Sequence, residues 1–151
     1  MVSKVFVDTD VIVDHLTDRE PFANYSSLVF ELHEQRKVCI YISAISVNNI
    51  YYVSRRIIGE KPALNLIEKL IDHIEVIGTA KMEINSALHT GFKDFEDSIQ
   101  YATAMTIGGI EAIITRNVKD FRKSKIAIFT PEVYIKSKSE KSEEQQNSPD
   151  H

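Results

Sequence analysis

The sequence predicts an α/β fold, a three-layer α/β/α sandwich around a mainly parallel five-stranded sheet, and three observations carry that prediction. Short runs of β-branched and apolar residues alternate with amphipathic stretches along the chain. Carboxylates gather where those runs stop. Residues 136–151 hold almost nothing that could be buried. Strands alternating with helices pair in parallel, with right-handed crossovers covering both faces of the sheet.

Val5–Val7 reads as a buried strand ending at Asp8-Thr9-Asp10, and Val11–Leu16 as a short helix or turn stopped before Pro21. Phe22, Tyr25, Leu28, Val29 and Leu32 form one helical stripe between Phe22 and Lys37, leaving His15 and His33 as solvated side chains. Val38–Ile42 is the second strand. Ser43 or Ser46 caps the next helix, which runs through Ile58 to Gly59, and Pro62 opens another over Pro62–Asp72. Ile74–Ile77 is the third strand, with Thr79 capping a helix over Ala80–His89. Ile99, Ala102 and Met105 define a helix over Asp94–Ile107, stopped by Gly108-Gly109. Ala112–Ile114 and Ile126–Phe129 are the last strands, separated by a turn at Val118–Phe121, and Thr130-Pro131 breaks the chain after them. The folded domain is expected over 1–135, with 136–151 a polar, flexible tail or a partner-binding arm.

A chain of 151 residues with 43% apolar and 26% charged content is a single globular domain. The formal charge of −4 argues against holding nucleic acid mainly by a basic surface, but leaves open an enzyme that reaches phosphates through a metal ion. One cysteine, Cys39, excludes disulfides and thiolate zinc sites. Neither a signal peptide nor a membrane-length apolar run is visible, so a cytoplasmic protein is expected.

The chemistry concentrates in KDFEDSIQYATA, where Asp94, Glu96 and Asp97 stand at the start of a helix. Asp94 suits a helix cap, whereas Asp97 lies inside the helix on nearly the same face. In a parallel sheet, sites form beyond the carboxyl ends of the strands, which is where Asp8 and Asp10 and, after the fourth strand, Asn117 and Asp120 fall. Carboxylates without histidine or thiolate select a hard cation, Mg²⁺ or Mn²⁺, which activates water for attack on a phosphodiester.

VFVDTDVIVD, ISAISVNNIYY, DFEDSIQYATA and IITRNVKDF, in that order, resemble the four successive motifs of the PIN-domain family, which includes the VapC-like toxin ribonucleases of toxin–antitoxin pairs. The resemblance spans Val5 to Tyr134 and implies a three-layer domain that cleaves single-stranded RNA with a divalent metal, commonly as a homodimer, with an antitoxin protein as a possible partner. It assigns Asp8 and Asp97 as catalytic metal ligands. Two positions depart from the pattern: Asn49 stands where the family usually has a glutamate, and Asn117 where it often has an aspartate. A neutral amide oxygen can ligate but brings no charge, so Asp94, Glu96, Asp10 and Asp120 are the candidates to restore it. Ser46 and Thr115 are placed to hydrogen-bond the ligands from behind, and Arg116 to meet an RNA phosphate.

Two other readings follow from the same residues. Asp8-Thr9-Asp10-Val11 is similar to the opening of haloacid-dehalogenase phosphatases, but no later acid pair completes that pattern. With asparagine at 49 and 117, the domain also suits a catalytically weak or inactive RNA-binding or protein-interaction module, with Tyr51 and Tyr52 as core, dimer or interface residues.

Overall fold

In the computed structural model, residues 2–147 are described, and the sheet is five-stranded with the order β3-β2-β1-β4-β5. Its strands are β1 (Ser3–Val7), β2 (Val38–Ser43), β3 (Glu75–Ile77), β4 (Ile110–Ile114) and β5 (Ala127–Phe129), and every pairing is parallel. The chain builds outward from β1 to β3 on one side, then returns to lay β4 against the other edge of β1. That reversal opens a crevice beyond the carboxyl ends of β1 and β4, the usual place for a site in such sheets.

Alternation along the central strand explains the two outer layers, because successive side chains leave opposite faces. Val5 and Val7 join one core with Val11, Val29, Ile40, Ile50, Leu70 and Ile114. This core lies beneath α1 (Thr9–Leu16), α2 (Ala23–Glu34), α3 (Ala44–Ile58), α4 (Glu60–His73) and α7 (Pro131–Gln146). Phe6 points the other way and packs with Tyr101, Ala104, Ile113, Phe121 and Ile126 beneath α6 (Phe95–Ala104), which contacts α5 (Lys81–Ala87). The three-layer α/β/α sandwich expected from the alternation is thus the observed architecture.

Several boundaries differ for identifiable reasons. Strands β1 and β4 begin earlier than their apolar runs, since Ser3–Val38 and Lys4–Ile110 pairing carries the ladder to polar residues near the surface. Helix α5 is not capped by Thr79. Its N-cap is Ala80, whose N–H donates to Glu83 Oε2 at 2.9 Å, while Thr79 Oγ1 is 2.7 Å from Thr103 Oγ1. Thr130-Pro131 ends β5 but also starts α7, with Thr130 accepting from Val133 N–H and proline in the first turn, where its missing N–H loses nothing.

Residues 136–146, expected as part of a solvated tail, are the body of that helix. Buried Tyr134 and a Lys138–Glu111 ion pair at 3.0 Å fasten its first half, and 139–147 are exposed. The remainder of the expected tail, 148–151, lies outside the described residues. The two histidines expected in solvent are engaged: His15 stacks on Phe30 with centroids 3.9 Å apart, and His33 bonds the His73 carbonyl at 2.6 Å and the Ile40 N–H at 3.2 Å. Among the described residues, no helix is long and apolar enough to cross a membrane.

Candidate active site

Asp8 leaves β1 in an extended conformation and caps α1, so its carboxylate is delivered to the crevice by the strand and fixed by the helix. Its Oδ1 accepts the Thr9 N–H at 2.8 Å, and its Oδ2 accepts the Thr115 hydroxyl, also at 2.8 Å, from the end of β4. Thr115 Oγ1 in turn accepts the Asn117 N–H at 3.0 Å. Asp8 is only 6% exposed, and burial pushes its carboxyl up to about 6 despite these bonds, with the charges of Asp10 and Glu96 adding to the rise.

Helix α6 supplies the opposite wall. Asp94 caps it, accepting the Asp97 N–H at 3.0 Å, so one oxygen of Asp94 is committed to the helix end. Asp97, in the first turn, is pushed up to about 7, first by burial and then by Asp8, Asp94, Asp120 and Glu96 around it. Glu96 is also raised, by burial and the charges of Asp94 and Asp10. Its Oε1 accepts the Asn49 side-chain amide at 2.7 Å, which joins α6 to α3 across 47 residues of sequence. Asn117 Nδ2 reaches Asp10 Oδ2 at 3.3 Å. Both asparagines therefore hold a neighbouring carboxylate rather than standing idle in acid positions.

These groups surround an open cavity of about 580 Å³ lined by Asp8, Asp10, Asp94, Glu96, Asp97 and Asp120, with Asn49 and Asn117 among them. Among the described residues the one cation on its wall is Arg56, so the carboxylates are far from neutralised. Among the described residues, no three His, Cys, Asp or Glu side chains are already closed to metal-ligand spacing. The surplus of hard oxygen donors on an open rim fits a divalent ion that keeps much of its water, Mg²⁺ or Mn²⁺ rather than a thiolate-bound metal.

Behind the rim lies a buried polar bridge. Ser43 donates to Gln100 Oε1 at 2.6 Å, Gln100 Nε2 donates to Ser46 Oγ at 2.7 Å, and Thr9 Oγ1 donates to Ser46 Oγ at 3.2 Å. All four side chains are buried. Ser46 sits one turn before Asn49 and Gln100 one turn after Glu96, so the bridge ties α3 and α6 to each other, to the end of β2 at Ser43 and to the start of α1 at Thr9.

Arg116 is placed differently from expectation. Its Nε lies 2.8 Å from Asp14 Oδ2, its guanidinium covers the Phe22 ring at 4.1 Å, and it does not line the acid cavity. Asp14 is fully buried, and a buried carboxylate holds its nearest guanidinium firmly. Tyr52, expected in packing or an interface, is 51% exposed on the cavity wall beside Val53 and Arg56. The sequence carried a signal for that wall: Asn49, Tyr52, Val53 and Arg56 recur at helical spacing on one face of α3.

The sequence profile of the PIN-domain family matches residues 4–119. The chain belongs to the PIN-domain family. Within it, Ribonuclease VapC1 of Aquifex aeolicus (strain VF5) is 32% identical over 136 residues, covering 87% of this chain and 92% of that protein. Among solved structures, the DNA-bound VapBC of Salmonella typhimurium matches with a TM-score of 0.65 at 18% identity, covering 87% of this chain and 99% of that one. A toxin–antitoxin complex from Klebsiella pneumoniae matches at 0.63 and 21% identity, covering 84% and 97%. At such identities the structures share the PIN fold with this chain, and the acid rim sits where that fold places its strand ends.

Proposed function

We propose that this PIN-domain protein is a divalent-metal-dependent endoribonuclease that hydrolyses phosphodiester bonds in single-stranded RNA, acting as the toxin of a toxin–antitoxin pair. The observation that carries the reading is the uncompensated acid rim, where Asp8 is pushed up to about 6 and Asp97 up to about 7 with one arginine nearby. Such a cluster needs a positive guest. Asp8 and Asp97 would hold Mg²⁺ or Mn²⁺, with Glu96 restoring the charge that Asn49 omits and Asp10, Asp94 and Asp120 lining the approach. The ion supplies a Lewis acid and a nucleophilic water at neutral pH. Thr115 and the Thr9 N–H keep Asp8 aimed at the cavity, and Asn49 keeps Glu96 there. Asn117 steadies Asp10 through its side-chain NH₂, and its side-chain oxygen Oδ1 is the atom that would position a water.

An antitoxin partner accords with the toxin–antitoxin complexes among the structural relatives. A homodimer and a cytoplasmic location complete the proposal, and light scattering that shows only monomer at working concentration would remove the dimer from it.

Cleavage of a labelled single-stranded RNA with Mn²⁺, with Mg²⁺ and with chelator tests the reading, alongside identically purified Asp8→Asn and Asp97→Asn proteins. Each substitution should lower metal-dependent cleavage by two orders of magnitude or more, roughly the scale of losing a charge that stabilises the transition state. Equal cutting by wild type and variants, or none on any RNA tried, would instead assign the chain to the non-catalytic module.

A further inference from the structure

A rim of carboxylates repels the polyanion it is meant to cut, and the net charge of −4 offers no general attraction. The molecule must therefore keep its cations where the strand runs. Beside the acid cavity lies a second cleft of about 290 Å³, and Lys93, Lys119, Arg122 and Lys123 all line it, with Phe92. Among the described residues, none of these four cations forms a salt bridge. Asp120 lines both cavities, and Lys93 directly precedes Asp94 of the acid rim, so the two depressions adjoin.

The cleft is shaped by contacts rather than by chance proximity of loose side chains. Lys123 Nζ donates to the Gly91 carbonyl at 2.9 Å, tying the segment before α6 to the segment after the 3₁₀ turn Val118–Phe121. Gly91 has φ +73°, a backbone conformation that side-chain-bearing residues rarely adopt, so glycine suits the turn that presents this carbonyl to the ammonium. Phe92 packs inward, tilted against Tyr101 and edge-on to Phe121, anchoring the wall that carries Lys93.

We propose that this basic cleft is the phosphate-backbone track for single-stranded RNA on one side of the scissile bond. The inference rests on the ribonuclease reading for what happens next door, but the binding itself does not require cleavage. An RNA strand lying there presents its phosphates to the four cations and its neighbouring phosphate to the acid rim. An acidic protein segment would satisfy the same cations, but it has no phosphate chain to carry on to a metal ion held by the acid rim next door.

The experiment measures binding of a labelled single-stranded RNA by fluorescence anisotropy across a salt series. It uses the Asp8→Asn protein, so that nothing is cut, with and without Lys119→Gln and Arg122→Gln together. Each lost phosphate contact should reduce the slope of log K against log salt by about 0.7, so the pair should remove about 1.4. Lys125→Gln, an exposed lysine outside the cleft, should leave the slope unchanged. In the cleaving protein the same pair should raise KM by roughly fivefold or more and move kcat far less.

An unchanged slope in the pair, an equal loss in Lys125→Gln, or no RNA binding at low salt would each overturn the track; the first would leave the cleft to an acidic protein segment. A wild type that cuts no RNA, combined with the expected loss of slope, would keep the track and overturn the ribonuclease. Normal cutting with KM and slope unmoved by the pair would do the reverse.

Discussion

Arg116, just after β4, and Asp97, in the first turn of α6, end in opposite electrostatic conditions. Asp14, fully buried, pairs with Arg116 at 2.8 Å and has Arg19 3.8 Å away. Burial leaves the Asp14 carboxyl raised on balance, although the two guanidinium groups oppose the rise. Among the described residues, Asp97 has no ion-pair partner, and it faces four other carboxylates. Arg116→Met should therefore cost roughly 3–5 kcal/mol in denaturant unfolding, by stranding a buried charge, while leaving KM for RNA unchanged in the fraction that folds. A stable variant with a raised KM would return Arg116 to the phosphate role its sequence position suggests. Nothing local reveals the pairing, because the partners are 102 residues apart and meet only when β4 returns beside β1.

Helix α6 shows at the next scale how a single short element serves stability and chemistry together. Asp94 closes its N-terminus, Glu96 and Asp97 occupy its first turn, and Gln100 holds its inner face to Ser43 and Ser46. Acids in that turn are favoured by the helix dipole, which offsets part of their mutual repulsion. Asp94→Ala should lower stability by about 1 kcal/mol through loss of the cap, and Asp94→Asn should restore most of it, because an amide oxygen also accepts the Asp97 N–H. Thermal unfolding of the two variants separates this capping role from a purely ionic one, in which alanine and asparagine would behave alike.

The helix, its cap and the acid-rich turn are all legible in KDFEDSIQYATA. The Asn49–Glu96 bond is not, since it joins two helices through their packing and no periodicity encodes it. The last helix is under-read for a different reason. Residues 136–146 are too polar to signal burial, and they are helical because Pro131 starts the turn and Tyr134 anchors it.

Across the whole molecule, the strand order brings the ends of β1 and β4 together and so creates the site. Hydrophobic alternation is enough to foresee the parallel sheet, and with it that Asp8 and the segment after Ile114 share one rim. The basic cleft escapes such a reading because Lys93 and the group Lys119–Lys123 are brought together by loops and by the Lys123–Gly91 contact, not by a patterned element.

The central claim, that the carboxylate rim is built for a cation, also has a thermodynamic consequence. Asp8 and Asp97 rise from 3.8 to about 6 and about 7, so the folded state holds their protons more tightly than the unfolded chain does. Their contribution to stability is present below pH 4 and is lost as pH rises through 6 and 7 in the metal-free protein. A divalent ion that binds only the folded state should restore it.

The measurement is the Tm of wild type and Asp97→Asn, metal-free and with Mn²⁺, at pH 5 and pH 8. The variant should be the more stable protein at pH 8 without metal, the gap should narrow at pH 5, and Mn²⁺ should raise the wild-type Tm at pH 8 while moving the variant much less. A wild type that is the more stable of the two without metal at pH 8, and that millimolar Mn²⁺ leaves unmoved, would contradict the account.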